Sequence, residues 1–127
     1  MTAALQWGGR FRGPADSELL AFGSSLEEDL LLAGFDVACS LAHVEALEGS
    51  GIVTPAQATA LRTALHGVEE EIAAGTFAHY ARSLGAEDIH GAIDARVREL
   101  AGAAGEWLHA GRSRNDQVAT TLLLYTR

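Results

Sequence analysis

Along the 127-residue chain, apolar side chains return every three or four positions, the period of a helix that buries one face. From Asp29 to about Glu48 the recurring positions are Leu31, Phe35, Ala38, Leu41, Val44 and Leu47, and Gly49 and Gly51 supply the stop. Thr54-Pro55-Ala56-Gln57 reads as a capping box with proline at the first helical position, where a missing N–H costs nothing. Leu61, Leu65, Val68 and Ile72 then make one stripe, which Gly75 ends. A third helix starts near Asp88, carries Ile89, Ile93, Val97 and Leu100 on one face, and breaks at Gly102 and Gly105. A last run opens around Asn115 and continues through Val118, Leu122 and Leu123 to Arg127 without a stop signal, which suggests a longer natural protein. No alternating strand pattern of useful length interrupts this series. The predicted class is all-α.

Composition narrows the function classes. Apolar residues make up 48% of the chain and charged residues 20%, a balance that supports a packed core. Seventeen acidic against nine basic side chains give a net charge of −8, which argues against non-specific nucleic-acid binding. An anionic small molecule stays admissible, because a few local arginines override the global charge. The single cysteine, Cys39, forms no internal disulfide and is expected to be an ordinary buried residue. No signal peptide is visible, and no apolar stretch is expected to approach the ~20 residues that span a bilayer. A cytoplasmic protein with no membrane partner is the expectation. One cysteine, no paired-histidine ligand spacing and no glycine-rich phosphate fingerprint imply no metal and no organic cofactor.

The residues that break the helical pattern carry the chemistry. His109-Ala110-Gly111-Arg112-Ser113-Arg114-Asn115-Asp116-Gln117-Val118 gathers two arginines and several hydrogen-bonding side chains just ahead of an apolar helix. One reading is a polar turn in which Ser113 or Asn115 caps the helix and Asp116 favours its dipole. The other is an anion site, made of backbone N–H groups at a helix start beside an arginine fork. Spacing alone leaves both open. The same holds for Ser25, a helix cap or a ligand donor, and for Asp88, an N-cap or a site residue.

The run Gly111 to Val118 resembles the signature of the argininosuccinate lyases and of the δ-crystallins derived from them. Three further segments agree in order and spacing: Trp7-Gly8-Gly9-Arg10-Phe11, Phe22-Gly23-Ser24-Ser25-Leu26 with Asp29 behind it, and Glu87-Asp88-Ile89-His90. Departures are Gly23 where the family usually has Asn, Ser24 where it has Ala, and Ala110 where it has Thr. None removes a position assigned to substrate contact. The resemblance implies a helical N-terminal domain over residues 1–112 with an extended arm. Residues 113–127 would begin the first long helix of a central bundle. It also implies a β-elimination that splits argininosuccinate into arginine and fumarate.

Such a reaction removes a weakly acidic proton beside a carboxylate, so donors aimed at those oxygens stabilise the developing charge. The leaving guanidinium group needs a proton from a general acid. By resemblance, Ser25 would hydrogen-bond a substrate carboxylate, Asn115 would contact the substrate beside it, and Arg114 would hold a carboxylate. Asp88 and His90 would sit at the site's edge, with Asp29 and Arg112 as secondary candidates. Trp7 and Phe11 would anchor the arm by packing, and Arg10 would face an anion. The proton-transferring histidine and the serine of a mobile loop are expected beyond Arg127, so no catalytic residue falls within this chain, which alone would be inactive. A homotetramer with active sites shared between subunits is the implied assembly. Another lyase of the fumarase/aspartase superfamily, or a non-catalytic crystallin-like relative, are the alternatives.

Overall fold

The computed structural model describes residues 16–127, and it is helical throughout, with no strand among the described residues. Seven α-helices follow in order: α1 (Ser17–Gly23), α2 (Leu26–Asp29), α3 (Ala33–Gly49), α4 (Pro55–Ala73), α5 (Phe77–Leu84), α6 (Ile89–Ala101) and α7 (Arg114–Tyr125). Short 3₁₀ turns, Leu30–Leu32 and Gly102–Trp107, lead into α3 and out of α6. The Trp7–Phe11 segment lies outside the described residues.

Caps written in the sequence start α4 and α6. Thr54 and Gln57 form the expected capping box ahead of Pro55, and Asp88 accepts the N–H of Gly91 to start α6. The core lies where α4 packs on α3 and α6. Ala58, Leu61, Leu65 and Val68 of α4 are fully buried, as are Ile89, Ala92, Ile93 and Val97 of α6 and Val44 of α3. Each buried side chain of Leu or Ile size contributes roughly 1.5–3 kcal/mol of transfer free energy. Gly105 closes the end of this core: a Cβ there would come within 2.6 Å of Arg98 Cα, so only glycine permits the approach.

Three expectations need correction. The buried face of α3 is Ala33, Asp36, Val37, Ser40, Val44 and Leu47, whereas Leu31, Phe35 and Ala38 are exposed. Val44 and Leu47 are buried as expected and Leu41 packs against the core, but in the first half of the stripe two polar side chains take the inner face. Cys39 is half-buried rather than sunk in the core. The expectation about bilayer length also shifts: a window within Ser17–Gly49 reaches a mean hydropathy of 1.6, enough by length and composition to cross a membrane. That run is broken by extended backbone at Ser24, holds a buried carboxylate at Asp36, and packs 39% of the window inside the protein.

Candidate functional site

Ser24 and Ser25 join the chain between α1 and α2 to the residue just ahead of α6. The Ser25 N–H donates to the Glu87 carbonyl at 3.0 Å, and the Ser24 hydroxyl donates to the same oxygen at 3.1 Å. This clasp sets Ser25 beside Glu87 and Asp88. The Ser25 hydroxyl donates to Asp29 Oδ2 at 2.6 Å, one helical turn away. Asp29 therefore aims a hydroxyl that stays at the surface. Asp88 uses Oδ1 to cap α6 through Gly91 N–H at 2.6 Å.

The Gly111–Val118 run folds as a turn into α7. Gly111 takes a left-handed φ of 65°, which a side chain disfavours, and so reverses the chain ahead of Arg112. Ser113 is the N-cap: its hydroxyl accepts the Asn115 N–H, and Asp116 Oδ1 accepts the Ser113 N–H at 2.8 Å. Asn115 sits exposed on the first turn of α7. On the other side of the turn, His43 Nε2 donates to the Ala110 carbonyl at 3.0 Å. Burial pushes the His43 pKa down, partly offset by that carbonyl.

Below the turn lies a buried polar layer between α3, α6 and α7. Asp36, 0% exposed, accepts from Gln117 Nε2 at 2.7 Å and from the Thr121 hydroxyl at 3.5 Å. His90 Nδ1 faces the same Asp36 oxygen at 3.1 Å, off the line of a hydrogen bond. The Arg112 guanidinium stands 3.9 Å from it and donates to Ser40 Oγ at 3.0 Å and Cys39 Sγ at 3.3 Å. Arg114 Nη1 donates to Gln117 Oε1 at 2.7 Å, and its Nη2 lies 3.3 Å from Asp94 Oδ2. His109 Nδ1 lies 3.9 Å from that oxygen. Two carboxylates thus meet two guanidinium groups, the balance that buried charge requires.

The candidates therefore fall into two groups. Ser25, Asp29 and Asp88 share the clasp at the start of α6. Arg112 and Arg114 belong to the polar layer at the start of α7, with Asn115 exposed above it. His90 connects the groups: it lies one helical turn or less from Asp88 and is buried against Asp36. Sequence reasoning missed Asp36, Ser40 and Asp94 as partners of the motif, and gave Gln117 within it no role. The available signal was Asp36 and Ser40, four apart, on the face shared by Val37 and Val44. Among the described residues, no cluster of three or more His, Cys, Asp or Glu is placed to hold a metal ion.

Residues 9–127 match the lyase family, and the chain belongs to that family. Within it, the chain is similar to argininosuccinate lyases. It is 44% identical to the argininosuccinate lyase of Synechococcus sp. (strain JA-3-3Ab) over 121 residues, 95% of this chain and 24% of that protein. Against the argininosuccinate lyase of Chloroflexus aurantiacus (strain ATCC 29366) the identity is 45% over 120 residues, 94% of this chain and 25% of the relative. The argininosuccinate lyase of Chromohalobacter salexigens is 41% identical over 126 residues, 99% of this chain and 26% of its own length. The chain spans about a quarter of the length of these relatives.

Proposed function

We propose that the protein carrying this chain cleaves argininosuccinate to arginine and fumarate by β-elimination, as a step of arginine biosynthesis. The observation that carries this reading is the Gly111–Val118 turn, folded as a capped helix start with Asn115 exposed and both arginines held beneath it. Relatives named argininosuccinate lyase align over this same turn and nearly all of the chain.

In this reading Ser25 and Asn115 supply neutral donors to the substrate, and Arg114 supplies charge to one of its carboxylates. Neutral donors at the surface suit a multiply charged ligand in an acidic protein, because they hold oxygens without a fixed ion pair to break at release. The Ser25 hydroxyl, now given to Asp29, turns to the substrate carboxylate on binding, and Asp29 and Asp88 hold the segment around it. His90 and Arg112 act from beneath. Segments outside this chain supply proton transfer, and a homotetramer in the cytoplasm completes the site. Residues 1–112 form the N-terminal domain, and residues 113–127 enter the bundle. No cofactor takes part.

The test is fumarate release from argininosuccinate by the product of the whole reading frame. Ser25→Ala removes a hydrogen bond to a charged group, so kcat/KM is expected to fall about tenfold to a hundredfold. A folded product that releases no fumarate overturns the reading and favours a non-catalytic, crystallin-like role.

A further inference from the structure

Gln117 is 1% exposed and stands between a group that only accepts and a group that only donates. Its amide nitrogen donates to Asp36 Oδ1 and its amide oxygen accepts from Arg114 Nη1, each at 2.7 Å. A carboxylate has no proton to give and a guanidinium no lone pair, so the amide has one orientation. We propose that Asp36 is a positioning residue for the elimination: through Gln117 it sets Arg114, and with it the Ser113–Asn115 turn. Its kinetic consequence rests on the argininosuccinate reading; its structural consequence rests on the geometry alone.

Within α3 itself nothing calls for a carboxylate at this position; what calls for it is the buried Arg112 guanidinium of the turn, 3.9 Å away. The neighbours of Asp36 on the inner face are Ala33, Val37, Ser40 and Val44, small or apolar side chains that pack without it. A fully buried charge is costly unless paired, and a buried pair adds little net stability over apolar side chains of the same volume. What the carboxylate does supply is direction. It reaches both sides of the cap, Arg112 one residue before Ser113 and Gln117 four residues after it. The turn is thereby fixed from below at two points, while Asn115 above stays exposed.

The test uses Asp36→Asn, Gln117→Glu and the double variant in the whole protein. In D36N the group that only accepts is gone: the new amide can offer either its oxygen or its NH2 to Gln117, so Gln117 no longer has one orientation against Arg114. KM for argininosuccinate is expected to rise about tenfold to a hundredfold with a smaller change in kcat, at temperatures where circular dichroism shows the variant folded. Q117E alone sets two carboxylates side by side and gives a similar rise. The double variant restores both directions and the charge count: the amide introduced at position 36 donates to the carboxylate introduced at position 117, which accepts from Arg114. Its KM returns to within about threefold of the parent, the mark of coupled neighbours.

A merely structural role lowers Tm in the single variants and leaves KM alone. A parental KM in folded D36N, or a double variant no better than the singles, overturns the proposal. If D36N does not fold, Gln117→Met deletes the relay, keeps Asp36 beside Arg112, and carries the same KM expectation. A second readout needs no activity: the side-chain signals of Gln117 and Arg114 in protein isotope-labelled at glutamine and arginine nitrogens. Both are expected to shift in D36N. A shift at Gln117 without one at Arg114 overturns the relay, and it does so even where the parent releases no fumarate.

Discussion

The two sides of α6 are built on opposite terms. Toward α4 it presents Ile89, Ile93 and Val97 to Leu61, Leu65 and Val68, a hydrocarbon contact with the partly exposed Arg96–Glu71 ion pair at its margin. Toward α3 and α7 it presents His90 and Asp94 to Asp36 and the arginines of the turn. The first side is held by area removed from water, which is indifferent to direction. The second is held by donors facing acceptors, which fixes where each group points and adds little to the total. One helix thus separates what keeps the domain folded from what aims its candidate site.

The largest effect should come from unbalancing the polar side. Arg112→Ala leaves the Asp36 carboxylate buried without its nearest full positive charge, and a loss of about 3–5 kcal/mol is expected in denaturant unfolding. A loss below that of a surface substitution would mean that His90 and Gln117 already neutralise Asp36. On the apolar side, Leu65→Ala empties a fully buried position, and about 2–5 kcal/mol should be lost with no selective effect on the α7 turn. If instead Arg114 signals move in L65A, the two sides are not independent. Thr54→Ala, which deletes the α4 capping box, should cost about 0.5–2 kcal/mol and leave substrate KM unchanged.

A smaller effect, in pH, reads the rim of the polar side. Burial lowers the His43 pKa below its ordinary value, so the unfolded chain binds the proton more readily than the folded one. Stability is therefore full above about pH 6.5 and declines as pH falls from there toward the lowered folded value. His43→Gln keeps a donor for the Ala110 carbonyl and removes the titration. Its Tm should change less than the parent's between about pH 7.5 and pH 5.5. An unchanged slope would assign the acid sensitivity to other groups.

Legibility in the sequence followed the same division. α4 and α6 were readable because stripe, cap and glycine stop agreed over more than three turns. α1 and α5 were too short for the period to show, and Phe77 and Ala81 bury only two positions of α5. On α3 the second half of the stripe, Leu41, Val44 and Leu47, faces the core as read, but Leu31 and Phe35 point outward and Asp36 and Ser40 take the inner face, which a reading that equates apolar with buried misses. The motif at residues 111–118 stood out by composition, but its partners lie on α3 and α6, far away in sequence. Hydrogen bonds that reach twenty positions back to α6 and more than seventy back to α3 leave no local period to detect.

The clasp between Ser24, Ser25 and Glu87 has a consequence in time rather than in space. It closes a loop of more than sixty residues through two hydrogen bonds to the Glu87 carbonyl, with the buried Leu26 and the exposed Glu27–Arg82 pair next in the chain. Such a latch opens without unpacking α4, so the Ser25 amide should exchange its proton with solvent through brief local openings. The α4 amides should exchange only when the whole domain unfolds. Local opening at the Ser25 amide is expected many times within one lifetime of the folded core, an order of events that suits a site that must admit and release a ligand.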